Sequence, residues 1–417
     1  MKLFGYFKVF AAMMFAAAEL SAQTIWNGTA NTGWYNESQT EFTITTAEQL
    51  AGLAQLVNNG NRFEGKTIKL SNNIMLNDTA NWQNWENNPP AREWEKIGYW
   101  DLNSDNGNKR FQGTFDGCGY VVSGIYINSF NKYQGLFGYV GGMAVDNHFG
   151  TIKNLGVIAS YVNGGDWSVA LLVGSTEAAK ITNCYTAGKV KGNNGVGGLV
   201  GNGALSYITN SYSTAIVEGY RQVGGLIGIS DNYEISNCYA IGNVRGSVDA
   251  GGLIGTGHVN VLISNYYDKE TSGQENNGWG EGKTTAEMKR MNTYIDWDFT
   301  DIWGINSAVN NGYPFLRLFG NDNLPNAINS NFAGQKTLSL FSFAGIQNGQ
   351  IKLNLKAGSY TAQIYNLQGR LIKSVDINAD GINAPTGLRI DNLSKGIFIL
   401  NVKQAGVSVL KEKVTVK

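Results

Sequence analysis

The sequence predicts an all-β protein: a right-handed parallel β-helix with capping segments, followed by a small antiparallel β-sandwich. Three observations predict it. A glycine-closed phrase recurs at 134–138, 170–174, 197–201, 224–228 and 251–255, its last glycine stepping 36 residues once and then 27 three times. A second phrase answers each: Ile152-Lys-Asn154, Ile181-Thr-Asn183, Ile208-Thr-Asn210, Ile235-Ser-Asn237 and Ile263-Ser-Asn265. Composition agrees, since 54 Gly with only 15% charged residues favours short strands and turns over helices.

A fixed period of this size marks a solenoid, in which each unit buries its apolar face by stacking on the next. About 27 residues hold three strands of roughly five residues plus turns. Coiling such a unit brings every strand beside its counterpart one repeat later, in parallel, and such connections are right-handed. Ile152, Ile181, Ile208, Ile235 and Ile263 then form one ladder, and Asn154, Asn183, Asn210, Asn237 and Asn265 another. Asn tolerates the left-handed backbone of a sharp corner, and stacked amides can bond along the column. Tyr185, Tyr212, Tyr239 and Tyr267 form a third file, read as structural stacking with a ligand face as the alternative. Cys184 and Cys238 follow ladder asparagines two rungs apart, roughly 9.6 Å. A disulfide needs Cα atoms within about 7 Å, so both are expected as free packing thiols.

The run Val223-Gly-Gly-Leu-Ile-Gly228 with Ile235-Ser-Asn-Cys-Tyr-Ala-Ile-Gly-Asn-Val244 resembles the GLUG motif of bacterial surface proteins. The match covers 171–267 closely and 136–157 more loosely. The resemblance implies an adhesin-like role and brings no catalytic residues.

The flanks divide the rest. Residues 1–22 have the anatomy of a secretory signal peptide: Lys2 and Lys8, a short apolar run, then Leu20-Ser-Ala22 before Gln23. Residues 23–133 are expected to supply an N-terminal cap and the first β-helix turns. Thr46 and Gln49 make a capping box for an amphipathic helix with Leu50, Leu53, Ala54 and Val57 on one face. Tryptophans cluster here, and Trp82, Trp85 and Trp94 are candidates for stacking on sugar rings; packing beneath long loops is the alternative. Phe111-Gln-Gly-Thr-Phe-Asp-Gly117 resembles the first turns of GLUG proteins. After the repeats (134–268), residues 269–319 read as the C-terminal cap, rich in Trp297, Phe299, Trp303, Tyr313 and Phe315. Residues 320–335 read as a linker.

Residues 336–417 alternate as half-buried strands, with Asn366-Leu-Gln-Gly369 as a hairpin turn. Ile364-Tyr-Asn-Leu-Gln-Gly-Arg370, Gly396-Ile-Phe-Ile-Leu400 and the basic terminal strand 411–417 resemble the type A C-terminal sorting domain of the Bacteroidetes type IX secretion system. That resemblance implies the type IX machinery as partner of 336–417, then release or attachment at the outer-membrane surface.

Catalysis on a β-helix needs paired side chains on neighbouring rungs, and glycoside hydrolysis two carboxylates about 5–10 Å apart. The acids of the repeats do not cluster. The best pair is Asp231 with His258, in a column that also holds Glu177 and Ala204. Two His and three Cys show no metal-ligand spacing; no metal or cofactor is expected. Asp101-Leu-Asn-Ser-Asp105-Asn-Gly107 imitates a calcium loop but lacks the closing Glu. Asp78-Thr-Ala80 resembles the short O-glycosylation pattern of Bacteroidetes. A net charge of zero gives no footprint for nucleic acid, and no segment of the mature chain reaches membrane-spanning length. The sequence therefore predicts an exported, secreted or surface-attached protein. Its β-helix is expected to present a non-enzymatic face to glycans or to host or neighbouring-cell surfaces. A polysaccharide lyase or hydrolase on the same scaffold is the alternative.

Overall fold

The computed structural model describes residues 24–100, 108–142, 149–275, 277, 279–320 and the strands between 341 and 416. The segments read from the sequence as a signal peptide (1–22), a calcium-like loop (101–107), a linker (320–335, past Gly320) and a hairpin turn (366–369) lie outside the described residues. The chain divides into two compact units, 1–333 and 334–417.

The first unit is a parallel β-helix. Phe42, Ile68, Phe115, Ile152, Ile181, Ile208, Ile235 and Leu262 are successive register partners, one per rung through eight rungs. Two sheets of eleven strands and one of four, all parallel, form its walls. The inward side of each wall is largely apolar: Ile181, Ile208, Ile235, Leu199, Leu226 and Leu253 are all fully buried. At the corner that follows, Asn154, Asn183, Asn210 and Asn237 take φ of 55°, 52°, 46° and 53°. These are the left-handed values Asn accepts at little cost. Asn183 Nδ2 donates to Asn154 Oδ1 at 3.1 Å, and Asn154 Nδ2 to Asp116 Oδ1 at 3.0 Å.

The last rung corrects the sequence reading by one residue. Ile235 pairs with Leu262, while Ile263 pairs with Ser236 and is 53% exposed. Ser264, with φ 52°, takes the corner. Asn265 instead falls in the inward column of Cys184, Ser211 and Cys238. Its Oδ1 accepts from Cys238 N at 3.0 Å and its Nδ2 donates to the Ile235 carbonyl at 2.7 Å. Likewise Tyr266, not Tyr267, pairs with Tyr239. Inter-strand hydrogen bonds hold the 27-residue register, so the Ile-Ser-Asn triplet, arriving one residue late, slides past the ladder positions. With no rung beyond, an exposed Ile263 costs less there than in mid-stack.

The one 36-residue step is absorbed in three places. The offset is 36 at Phe137↔Val173, 29 at Gly150↔Ala179, 28 at Ser160↔Gly188 and 27 at Trp167↔Asn194. Most of the excess thus falls between Gly141 and Gly150. One residue is lost at a bulge around Ala159, which has φ 47°, and one between Asn163 and Trp167.

Helix α1 (Ala47–Asn58) forms where expected, with the reciprocal Thr46–Gln49 capping box. It buries Leu50, Leu53, Ala54 and Val57 in the same core as Ile44 and Ile68. At the other end, helix α2 (Lys269–Ser272) follows the last rung, Glu281–Lys283 adds a parallel strand to Tyr266–Asp268, and Trp279 packs on the interior core. The remainder of the expected end cap does something else. From helix α3 (Thr285–Met288) to Gly320 the chain runs back along the flank as a strap. Tyr185, Tyr212 and Tyr239 point outward, stacked at 5.1 and 4.8 Å with interplanar angles of 10° and 6°. The strap covers them: Tyr294 meets Tyr266 at 5.2 Å, Trp303 meets Tyr239 and Tyr212 at 6.0 Å, and Phe319 meets Tyr185 at 4.7 Å. An uncovered aromatic file of this length would be a large exposed apolar stripe. Fully buried Asp268 anchors the strap, accepting from Thr285 Oγ1 at 2.7 Å and from the Tyr313 hydroxyl at 2.6 Å.

Cys184 and Cys238 are buried free thiols and Cys118 is exposed. Burial pushes both interior thiols up to about 12. A thiol reagent at mildly alkaline pH is therefore expected to label Cys118 alone in the native protein and all three cysteines in denaturant, read by intact mass.

The second unit holds two antiparallel sheets. One orders Phe341–Gln347, Gln350–Leu355 and Thr386–Arg389; the other Leu371–Ala379, Gly358–Tyr365, Gly396–Gln404 and Val407–Val416. Alternation is as read: Tyr360, Ala362 and Ile364 are buried on one strand, Phe398, Leu400 and Val402 on its neighbour.

Candidate functional site

A second corner column carries the most distinctive surface. Tyr133, Ser168, Gly195, Gln222 and Asp249 all have left-handed φ, between 53° and 62°. Directly before it runs the column Trp167, Asn194, Arg221 and Val248. The sharp turn leaves the residues leading into it exposed. Along this corner lies a groove of about 440 Å³ lined by Asn128, Phe130, Asn163, Asn193, Tyr220 and Ser247, among others. A neighbouring cleft of about 430 Å³ shares Asn193 and Tyr220 and is closed on its other side by Trp167 and Asn194. Phe130 is 94% exposed, Tyr220 55% and Trp167 39%. Phe130 and Tyr220 open onto the groove, and Tyr220 and Trp167 onto the cleft beside it; aromatic side chains normally bury most of their surface, and Phe130 and Tyr220 do not. Between them the lining is amide: Asn163 Nδ2 donates to Asn128 Oδ1 at 2.8 Å, which orders both side chains.

The charged side chains of the main groove, Lys191 and Glu218, are already committed. Lys189 meets Glu86 at 2.8 Å and Glu218 at 3.4 Å, Arg245 meets Glu218 at 3.5 Å, and Lys191 bonds Glu86. Hydrogen bonds from Lys189 and Lys191 hold the Glu86 carboxyl down at about 2. This network fastens the 82–86 segment across the rungs. Trp85 (3% exposed) anchors it from below, edge-on to Tyr126, which stacks on Tyr161 at 5.9 Å.

Two of the three tryptophan candidates are therefore corrected. Trp85 is buried, and so is Trp94 (3%), whose Nε1 donates to the Leu136 carbonyl while its ring meets Trp26 at 5.7 Å. Neither can reach a ligand. Trp82 is half-buried and lines a separate groove of about 720 Å³ with Thr214, Ile216, Ile241, Lys289 and Tyr313. The sequence reading missed Phe130, Trp167 and Tyr220 because they stand outside the recurring phrases. The available signal was an aromatic residue one to three places before a left-handed position: Phe130 before Tyr133, Trp167 before Ser168 and Tyr220 before Gln222.

Asp231 and His258 are register partners on adjacent rungs, with Ala204 and Glu177 continuing the column. Both are exposed, and no described residue orients either side chain. Glu177 is held away from them by Tyr139 at 3.1 Å and Arg110 at 3.5 Å. General acid–base chemistry requires an oriented, pKa-matched pair facing a bound substrate, and this pair lies free on a strand. Among the described residues no group of three His, Cys, Asp or Glu is placed to hold a metal ion, and no helix is long and apolar enough to cross a membrane. Thr79, the O-glycosylation candidate, is buried, 5% exposed.

Two family models match. Residues 347–417 match the secretion system C-terminal sorting domain, and residues 219–245 match the GLUG motif. The chain carries both. The sorting domain marks a secreted or surface-attached protein and implies the type IX machinery as its partner. A curated relative, named a Gly-rich membrane protein, from Evansella cellulosilytica is 39% identical over 61 residues. That stretch is 14% of this chain and 7% of the relative, so the chain spans under a tenth of the curated protein it matches.

Proposed function

We propose that the β-helix is a non-catalytic, adhesin-like scaffold that holds carbohydrate in the corner groove at the cell surface. The observation that carries this reading is the trio of solvent-exposed aromatics, Phe130 and Tyr220 on the corner groove and Trp167 on the cleft that adjoins it through Tyr220 and Asn193, with amides between them. Aromatic faces take the apolar faces of sugar rings, and amides take their hydroxyls, so the combination suits a glycan better than a metal, nucleotide or membrane. The test is a glycan array probed with the exported chain, alongside release of sugar from a polysaccharide panel. Retained glycan without cleavage supports the reading; cleavage abolished by Asp231→Ala replaces it with the enzymatic one. Export is expected to depend on the C-terminal unit. Deleting 336–417 leaves the protein in the periplasm, read by fractionation, and normal surface display after deletion refutes the role given to that unit.

A further inference from the structure

We infer that the corner groove takes a linear, uncharged polysaccharide lying along the β-helix axis, with Trp167 and Tyr220 stacking on alternate sugar rings; this deepens the carbohydrate reading above and rests on it. Direction comes first. The lining is drawn from successive rungs: Asn128, Asn163, Lys191 and Glu218 are register partners in turn, and Ser247 stands on the rung beyond Tyr220. The groove thus crosses five rungs, or about 19 Å at roughly 4.8 Å per step, which is a path for a chain and not for a single terminal sugar.

Spacing comes second. Trp167 precedes Asn194, and Asn194 precedes Arg221, the neighbour of Tyr220. The two aromatics therefore stand two rungs apart, roughly 9.6 Å, with Asn193 and Asn194 on the rung between. One rung is close to the length that one pyranose adds to an extended chain. Rings lying over the aromatics then alternate with a ring whose hydroxyls meet the amides. Phe130 sits one rung before Trp167, where Gly165 lets its backbone approach: a Cβ at Gly165 would come within 2.4 Å of Phe130 Cα.

Charge comes third. Lys191 and Glu218 are the charged residues on the main groove, and both are engaged with each other, Glu86, Lys189 or Arg245. An acidic or basic polymer would have to break that network to pair with either residue of the main groove. Arg221, at the far wall, offers its guanidinium as a fork of donors to hydroxyls.

The experiment is calorimetric titration of the exported full chain with β-1,4-linked cello-, xylo- and manno-oligosaccharides, from disaccharide to hexasaccharide, at two salt concentrations. Affinity is expected to climb with length to about four or five rings, the number of rungs crossed, and then level off. Trp167→Ala and Tyr220→Ala should each weaken the longest ligand about tenfold, and Phe130→Ala should weaken only ligands long enough to reach its rung. All three side chains are exposed, so unchanged melting temperatures will show the variants folded. Salt should have little effect. Equal affinity for disaccharide and hexasaccharide overturns the inference. So does array binding confined to branched or charged glycans, or unchanged binding by folded Trp167→Ala and Tyr220→Ala variants. An array silent for every glycan sinks the carbohydrate reading itself and is thereby told apart.

Discussion

Trp303→Ala releases the strap while the β-helix stays folded. Trp303 is fully buried, 4.3 Å from Trp297 and 6.0 Å from both Tyr212 and Tyr239. Truncating a buried Trp costs about 3–5 kcal/mol, and the loss falls on a segment held chiefly by these rings and by Asp268. The readout lies in the tyrosine file. Burial drives the phenols of Tyr185, Tyr212 and Tyr239 far above their ordinary value. The neutral phenol is the form the fold keeps. Its contribution is therefore complete below the ordinary value of about 10 and is lost as pH climbs past it. In the native protein the share of tyrosinate absorbance that belongs to these three buried phenols should appear late and together with unfolding. In Trp303→Ala it should appear near the ordinary value, while far-ultraviolet circular dichroism still reports the sheets. If the variant titrates like the native protein, the strap is not what seals the file.

Gly224→Ala is expected to act on the β-helix itself. A Cβ at Gly224 would lie 1.9 Å from the Ile227 carbonyl oxygen and 2.7 Å from Gly255 N. Gly197 and Gly251 meet Val200 and Ile254 in the same way, at 1.9 and 2.0 Å. The obstruction is backbone, so no rotamer relieves it, and the rung above shares it. Overpacking costs about 1–3 kcal/mol, and a clash with backbone that cannot give places this variant at the upper end, about 3 kcal/mol. Gly273→Ala supplies the contrast. That residue has φ 69° but open space around its Cα, so only the left-handed backbone is penalised, at about 1 kcal/mol. Urea midpoints at constant slope separate the two. Equal losses would mean the tight turn is not what the repeated glycine provides.

The architecture was legible because a solenoid writes its geometry as a period. Gly174, Gly201, Gly228 and Gly255 give the rung length, and Asn183, Asn210 and Asn237 give one corner. The reading slipped where a short motif competed with that period: Ile263-Ser-Asn265 looked like the next ladder phrase, but hydrogen-bonded register placed Leu262 and Ser264 there. The inward or outward sense of Tyr212 was hidden because a left-handed corner breaks strand alternation. The strap was half legible, since aromatic density at 297–315 was visible but its destination was not. The groove was scarcely legible. Phe130, Trp167 and Tyr220 lie 37 and 53 residues apart in the chain, and only the second corner gathers them. Conversely, Trp85 and Trp94 drew notice through composition alone, although their size makes burial their commoner fate.

The unbroken offset of 27 from Trp167 to Tyr266 has one more consequence. Each phrase is interchangeable with the next as far as its neighbours can sense, so the molecule is a ruler with removable divisions. Excising one such phrase, or duplicating it, joins like to like and changes the stack by a single increment. Selection could thereby lengthen or shorten the corner groove, and with it the track proposed for a polymer, without inventing a new interior.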